Sequence, residues 1–578
     1  MAEKSIKLQK TESEPDAIPV VEGGKSESGQ LAVPIPVIEE PASKEAEEQA
    51  QPSERRQLAK SASLVMLGNL GSSIMGMIRQ IVVAALGAQI AGPFNSAILP
   101  AQTFYDFLIN GSVSGALIPT FTDYSAPEKR DELRRLVFTI VNLVILIMFL
   151  AALIFTLISP QFIDLLVQGY KGPEKQLTLQ FAQIIFFSLI ALGPFSVLLA
   201  ALYSLREFGW PAFATASYHV GIIIGVVAGS ILGERYEGHL GLAFGVLLGA
   251  LGEIALLLPG IHKQRLRYMF VLDLKLPALR RIVKLYAPVA FSFLMSMGVV
   301  FLDQHLASLT PGDGAANFTA MRLATTLIQF PVGLVAAALA FAVLPTLSAH
   351  ATAGDTERFK ETLLLGFRVG LLLMIPAAAG LVVLQLPIVS LLFQHHNYTP
   401  HNAALTAIAL QNYAYQLPFV AIDQLLIAAF YARKNTIIPV VVGVVSILGY
   451  LSVALPFWST IGMPALAFAN TVQNSSHALI LLVLLRMAIG SIRMRKMLPT
   501  LLKILLAAAV MVVVAWGVQE VLGHIALFSL HHLTGQLLTV AVAGGLAALV
   551  YIGAVLVLRV EEVGLVKGAI IAKLGRKS

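Results

Sequence analysis

From residue 62 to residue 558 one pattern repeats: an apolar run of about 20 residues, then a short polar break. A run of that length crosses the hydrocarbon core of a bilayer as an α-helix. Fourteen such runs predict fourteen spans, at 62–88, 92–121, 134–158, 177–203, 211–232, 239–260, 284–308, 315–348, 362–393, 403–432, 436–457, 463–486, 499–522 and 535–558. Gly and Pro fall inside the runs, which membrane helices tolerate where neighbours re-satisfy the freed backbone groups. Nothing shows the alternation over about ten residues that marks a membrane β-barrel. The pattern predicts an all-α polytopic membrane protein. Its second and eighth runs are long enough to be tilted or broken, or else bent at Pro100 and Pro331.

The polar breaks are not alike, and their difference gives an orientation. Alternate loops carry "EKRDELRR" (128–135), the stretch 262–284, "DTERFK" (355–360), "ARKN" (432–435) and "RMAIGSIRMRK" (486–496). The tail from Arg559 carries five Lys and Arg, while the opposite loops hold essentially Lys171, Lys175 and Arg235. By the positive-inside rule both termini are expected in the cytoplasm. Composition agrees: the chain is 57% hydrophobic and 13% charged, against about 25% charged in soluble proteins. The net charge of +7 is then read as loops facing anionic lipid, with no nucleic-acid partner. Residues 1–58 differ, being rich in Glu, Ser, Pro and Lys, and are expected to be a disordered cytoplasmic tail. The opening "MAEKSIKLQK" is neither a signal peptide nor a myristoylation signal. With no cysteine, the chain has no disulfide, thiol chemistry or palmitoyl site.

Two motifs recur in order. "GALIPTF" (115–121) returns as "FAVLPTL" (341–347), and "ALYSLREFGWP" (201–211) as "AFYARKNTIIP" (429–439). Pro119 and Pro345 are 226 residues apart, Pro211 and Pro439 228. The repeat unit is therefore about six spans, an even number, so both halves share an orientation. The expected divisions are a lobe at 59–283, a second at 284–497, two additional helices within 498–558, and a basic tail at 559–578. Two parallel six-helix lobes suggest a secondary transporter with its site between them near the membrane midplane. There is no phosphate-binding loop, no GxSxG and no HExxH, so neither an ATPase motor nor an enzyme is expected. "HHNY" (395–398) is a poor metal site, and neither metal nor cofactor is expected.

"GMIRQIVVAALGA" (76–88) places Arg79 in an otherwise apolar run, where a mid-membrane arginine costs about 2.5–3.5 kcal/mol. This stretch resembles the first-helix motif of the MurJ/MviN lipid II flippase family, within the multidrug/oligosaccharidyl-lipid/polysaccharide exporter superfamily. "NGSVSGALIPTF" (110–121), "TTLIQFPVGLVAAALAFAVLPTLS" (325–348) and "AFYARKNTIIPV" (429–440) are similar to later motifs of that family, in order, and the resemblance covers roughly residues 60 to 560. It implies export of a lipid-linked peptidoglycan precursor, a central cationic cavity between the lobes, and a groove on the last two helices for a prenyl tail. Gln80 stands where the family has an acid, Asp106 where it has a basic residue, Asn110 where it has Glu, and Thr326 where it has an arginine. Arg322 lies one turn before Thr326 on the same face.

The resemblance makes Arg79 a candidate for the substrate pyrophosphate, through a planar, permanently charged fork. The alternative is that Arg79 pairs with Asp106 or Asp303 and only joins helices. Arg322, Asn110, Thr326 and Gln329 complete the candidate substrate set. Asp106, Asp303, Glu253 and Asp423 are candidates for coupling to a proton or monovalent cation, each weighed against a helix-pairing role. Asp303 and His305, two residues apart, do not share a helix face, and His219 and His477 read as core histidines. Membrane lipids are the other expected partners, and the chain is expected to act as a monomer. A flippase for another lipid-linked polysaccharide, a cation-coupled drug exporter and a transport-dead scaffold remain alternatives.

Overall fold

The computed structural model describes residues 52–106, 116–233 and 238–564. Among them, ten helices are long and apolar enough to cross a membrane, eleven if one bent pair counts as a single span. The compact body begins at Lys60. Its helices are α1 (Pro52–Ala85), α2 (Ala88–Asp106), the short α3 (Ile118–Thr122), α4 (Arg130–Leu166), α5 (Gly172–Phe186), α6 (Leu189–Ser204), α7 (Gly209–Leu232) and α8 (Gly241–Lys263) in the first half. The second half holds α9 (Pro277–Leu309), α10 (Gly314–Pro331), α11 (Ala338–Thr352), α12 (Thr356–Val383), α13 (Gln385–Phe393), α14 (Pro400–Ala414), α15 (Leu417–Ala432), α16 (Ile437–Phe457) and α17 (Met463–Ile489). Then come α18 (Leu498–Gly523) and α19 (Leu533–Val557).

The helix starts are written in the polar breaks. The side chains of Asp313, Asp355 and Thr399 accept hydrogen bonds from the backbone N–H groups of Ala316, Arg358 and Asn402 at 3.1, 3.0 and 3.3 Å. These are N-caps for orphan donors. Pro277 and Pro400 sit in the first turn, where the missing N–H costs nothing.

The repeat is visible element by element. α2 and α10 begin 226 residues apart, as do α4 and α12; α5 and α14, α6 and α15, and α7 and α16 begin 228 apart. The packing recurs too: α2 on α5 matches α10 on α14, α4 on α6 matches α12 on α15, and α7 on α8 matches α16 on α17. The fold is two parallel six-span lobes with α18 and α19 docked on α12 and α13. One buried apolar cluster lies within residues 116–282 and another within 347–560, the latter joined by Ala507, Met511, Ala547 and Tyr551 of the last two helices. Two more span both halves, with Ala84 and Leu99 packed among second-half residues and Ala315 among first-half ones.

Corresponding spans also break at corresponding places. The fourth is interrupted at Phe187–Ser188 and the tenth at Tyr415–Gln416, the latter bending by 45°. In the eighth span Pro331 ends α10 and a π-helical segment, Val332–Ala337, follows, as expected of a residue that cannot donate to the helix ladder. Pro100 behaves differently, since α2 runs unbroken through it. α7 and α8 pack closely along their length. Gly221, Gly225 and Gly229 face Gly241, Gly245 and Gly249, and a Cβ on Gly225 would lie 2.2 Å from the Gly241 carbonyl oxygen. Small residues every fourth position let two membrane helices meet backbone to backbone.

Candidate substrate site

The halves meet tightly on the side away from the basic loops. The Asn397 N–H donates to the Ala85 carbonyl at 3.1 Å, and His305 Nδ1 contacts the Leu165 carbonyl oxygen. Gly169 packs so closely on Ser308 that a Cβ would lie 1.9 Å from its carbonyl oxygen. Gly92 likewise faces Ala315, at 2.7 Å from its Cβ. This seal joins the first and second lobes around the ends of α1, α2, α4, α9 and α10.

Two arginines lie just beyond it, one from each half. Arg79, six residues before the end of α1, is 7% exposed, and its Nε has no hydrogen-bond partner. Arg322 on α10 reaches across to α2, where its Nη2 donates to Gln102 Oε1 at 3.0 Å, and its Nε is also unpartnered. The two guanidinium groups are near enough to repel each other, and Asp106 acts electrostatically on Arg322. Among the described residues neither arginine has a carboxylate within 4.0 Å. Arg79 is therefore paired with neither Asp106 nor Asp303 here. Two like charges in a low-dielectric interior, with open donors, favour a bound anion.

An aromatic chain links Arg79 to Glu253. Tyr218 lies beside Arg79. Tyr105 stacks on Tyr218 with centroids 6.1 Å apart and on Phe195 at 6.5 Å. The Tyr105 hydroxyl donates to Glu253 Oε1 at 3.1 Å; Glu253 is fully buried, and its Oε2 has no partner. His219, next to Tyr218, leaves Nδ1 unpartnered. Sequence reasoning missed Tyr105, Tyr218 and Gln102. The available signal was a polar atom inside an apolar run, but what it meets is set by another helix.

The other candidates divide: Asp106 and Thr326 lie near Arg322, whereas Asp303 and Asp423 have partners of their own. Asp303 accepts from the Tyr450 hydroxyl on α16, while His305 faces Leu165, so the two point to different halves. Asp423 Oδ1 meets His477 Nδ1 at 2.6 Å, and His477 Nε2 meets the Pro439 carbonyl at 3.2 Å, so three helices join there. Thr326 turns its hydroxyl back onto the Arg322 carbonyl at 3.0 Å. Gln329 and Asp106 are exposed. Asn110 lies outside the described residues. Among the described residues no group of acids and histidines could hold a metal ion.

The family model described as "Lipid II flippase MurJ" matches residues 82–537. The chain belongs to the MurJ lipid II flippase family. A protein of Bdellovibrio bacteriovorus described as "Probable lipid II flippase MurJ" is 28% identical over 528 residues, covering 89% of this chain and 97% of its own. One of Rhizobium meliloti with the same description is 26% identical, covering 73% and 80%. A solved MurJ structure in an inward closed conformation superposes with a TM-score of 0.69 at 21% identity, covering 85% of this chain and 97% of that one. An inward-facing MATE multidrug transporter of the MOP superfamily superposes at 0.57 with 15% identity, covering 73% and 95%. These likenesses show the fold. Membership in MurJ makes the chain a multi-pass membrane transporter, and the arginines at the lobe interface take their meaning from that.

Proposed function

We propose that this chain exports lipid II, the lipid-linked peptidoglycan precursor, across the bacterial cytoplasmic membrane by alternating access. The observation that carries the reading is the pair Arg79 and Arg322: one cation from each lobe, neither neutralised by an ion pair among the described residues, just inside a closed seal. A pyrophosphate supplies the missing negative charge and can accept from both planar forks. The lobes at 59–283 and 284–497 rock about the seal, and the cargo crosses unchanged, with no bond made or broken. Thr326 and Gln329 line its path, and Asn110 is a further candidate outside the described residues. Asp106 and Glu253 are the groups able to couple transport to a proton or monovalent cation, while the other two candidates, Asp303 and Asp423, are bonded by Tyr450 and His477 and join helices. The helices within 498–558 take the prenyl tail: Gly545 has nothing within 4 Å of a Cβ position, whereas Gly544 packs on Leu384. Both termini, including the tails at 1–58 and 559–578, are cytoplasmic, and the chain acts as a monomer.

The test is replacement of a cell's own lipid II flippase by this chain. Survival with Arg79 and death with Arg79→Ala, at equal membrane abundance, is the expected result. Death with both means another cargo, or a scaffold. With no native cysteine, a pair at Leu165 and His305 can be bridged by a bifunctional thiol reagent. Bridging should stop export by fixing the seal, and undiminished export would end the alternating-access reading.

A further inference from the structure

The connector between the lobes, residues 264–276, does not hang free. The Asn142 amide on α4 donates to the carbonyls of Met269 and Val271 at 3.2 and 2.9 Å, and the Tyr268 hydroxyl returns a bond to Asn142 Oδ1 at 3.0 Å. Arg135 pairs with Asp273 at 2.9 Å, and the Tyr268 ring packs edge-on against Phe138 at 5.4 Å. Under this strap, between α4, α6 and α8, lies a cavity of about 830 Å³. Its walls are apolar, from Leu198, Leu251, Ile254 and their neighbours. The polar side chains of its lining are Ser188 and, where α8 runs into the strap, His262, Arg267 and Tyr268.

We propose that this cavity is a binding site for an anionic phospholipid, with acyl chain in the apolar part and phosphate on Arg267. The volume falls in the ordinary ligand range of about 300–1,000 Å³. Its walls belong to membrane spans and are open to lipid, for Leu251 and Leu258 are 59% and 54% exposed. A water-soluble ligand would have to cross hydrocarbon to reach them. The cap selects the charge. Neighbouring Lys263 is already paired with Glu207 at 2.7 Å, whereas Arg267 has no ion pair among the described residues. The cap also lies on the basic-loop side, where anionic headgroups concentrate under the positive-inside assignment. A lipid seated here touches the strap joining the two lobes, and so adds a contact that holds the connector on α4. The site is separate from Arg79 and Arg322, which lie at the lobe interface.

The test uses the full chain in phosphatidylcholine nanodiscs doped with a photoactivatable phosphatidylglycerol, with labelled peptides located by mass spectrometry. Labels are expected within 187–198 and 247–258, competed by plain phosphatidylglycerol. Arg267→Ala should lower labelling about fivefold, from the roughly 1 kcal/mol that one basic residue contributes near anionic lipid. Arg267→Lys should restore most of it, and Leu251→Trp should block the cavity, with thermal melting confirming that each variant is folded. If Leu251→Trp fails to fold, the Arg267 pair decides alone. Equal labelling by a phosphatidylcholine probe, or labelling unchanged in Arg267→Ala, overturns the proposal. Stronger competition by a prenyl pyrophosphate also overturns it, by placing the cavity on the cargo's route.

Discussion

Among the described residues, the second half closes its membrane-embedded acids Asp303 and Asp423 with partners, whereas the first half leaves Glu253 and His219 with open atoms, and the interface arginines, one from each half, are both open. Arg79 Nε, His219 Nδ1 and Glu253 Oε2 have no partner. Asp303 is bonded by Tyr450, and Asp423 by His477, which also reaches Pro439. The lobes share a helix plan, so fold does not explain the contrast. A satisfied buried network joins helices, while an open polar atom costs desolvation free energy that only a ligand or another conformation recovers. The contrast places rigidity in the acid pairs of the second lobe and cargo contact at the lobe interface, where Arg79 and Arg322 stay open.

The hardest test of that contrast is Arg79→Ala. Losing a charge-assisted hydrogen bond of about 1.5–3 kcal/mol should cut export at least tenfold while thermal stability stays near that of the parent. Arg79→Lys should fall between, because it keeps the charge but not the fork. Export that persists in stable Arg79→Ala protein makes this residue a packing charge and removes the distinction. Asp423→Ala should do the reverse, lowering stability by about 1–3 kcal/mol with export per folded molecule preserved. A double-mutant cycle with His477→Ala should show the two losses to be strongly non-additive. Additive losses would mean that the contact does not join the helices. Tyr450→Phe should be milder, about 1 kcal/mol, since one donor to Asp303 is lost and the packing is kept. A large export defect there, without a stability change, would make Asp303 a coupling group and not a helix-pairing one. Glu357, exposed between Lys360 and Arg493 at 3.1 and 2.9 Å, is the control. Glu357→Gln should leave the thermal midpoint unchanged at 0.15 M salt, as expected for a screened surface pair.

Much of this was legible in the chain. Period and run length carry the helices, and the two proline pairs carry the repeat, because both are local properties. Helix ends were less legible: α9 begins at Pro277, before the expected 284, and α1 reaches back to Pro52. Charged turns end the apolar run but not the helix, which continues into water. Pro331 is followed by a π-helical segment inside one continuous span and Pro100 is not, since the cost of a missing N–H depends on what neighbouring helices supply.

By itself the sequence determined the spans, the parallel duplication and the presence of unusual charges such as Arg79, Asp303 and Asp423. Each follows from the bilayer's demand that every residue in it be apolar or explained. Only the tertiary structure decided which of those charges are explained already. Tyr450 reaches Asp303 across 147 residues of chain, and Gln102 meets Arg322 across 220. Pairing depends on distances of a few ångströms between helices far apart in sequence, so no local pattern distinguishes the satisfied acid from the waiting arginine.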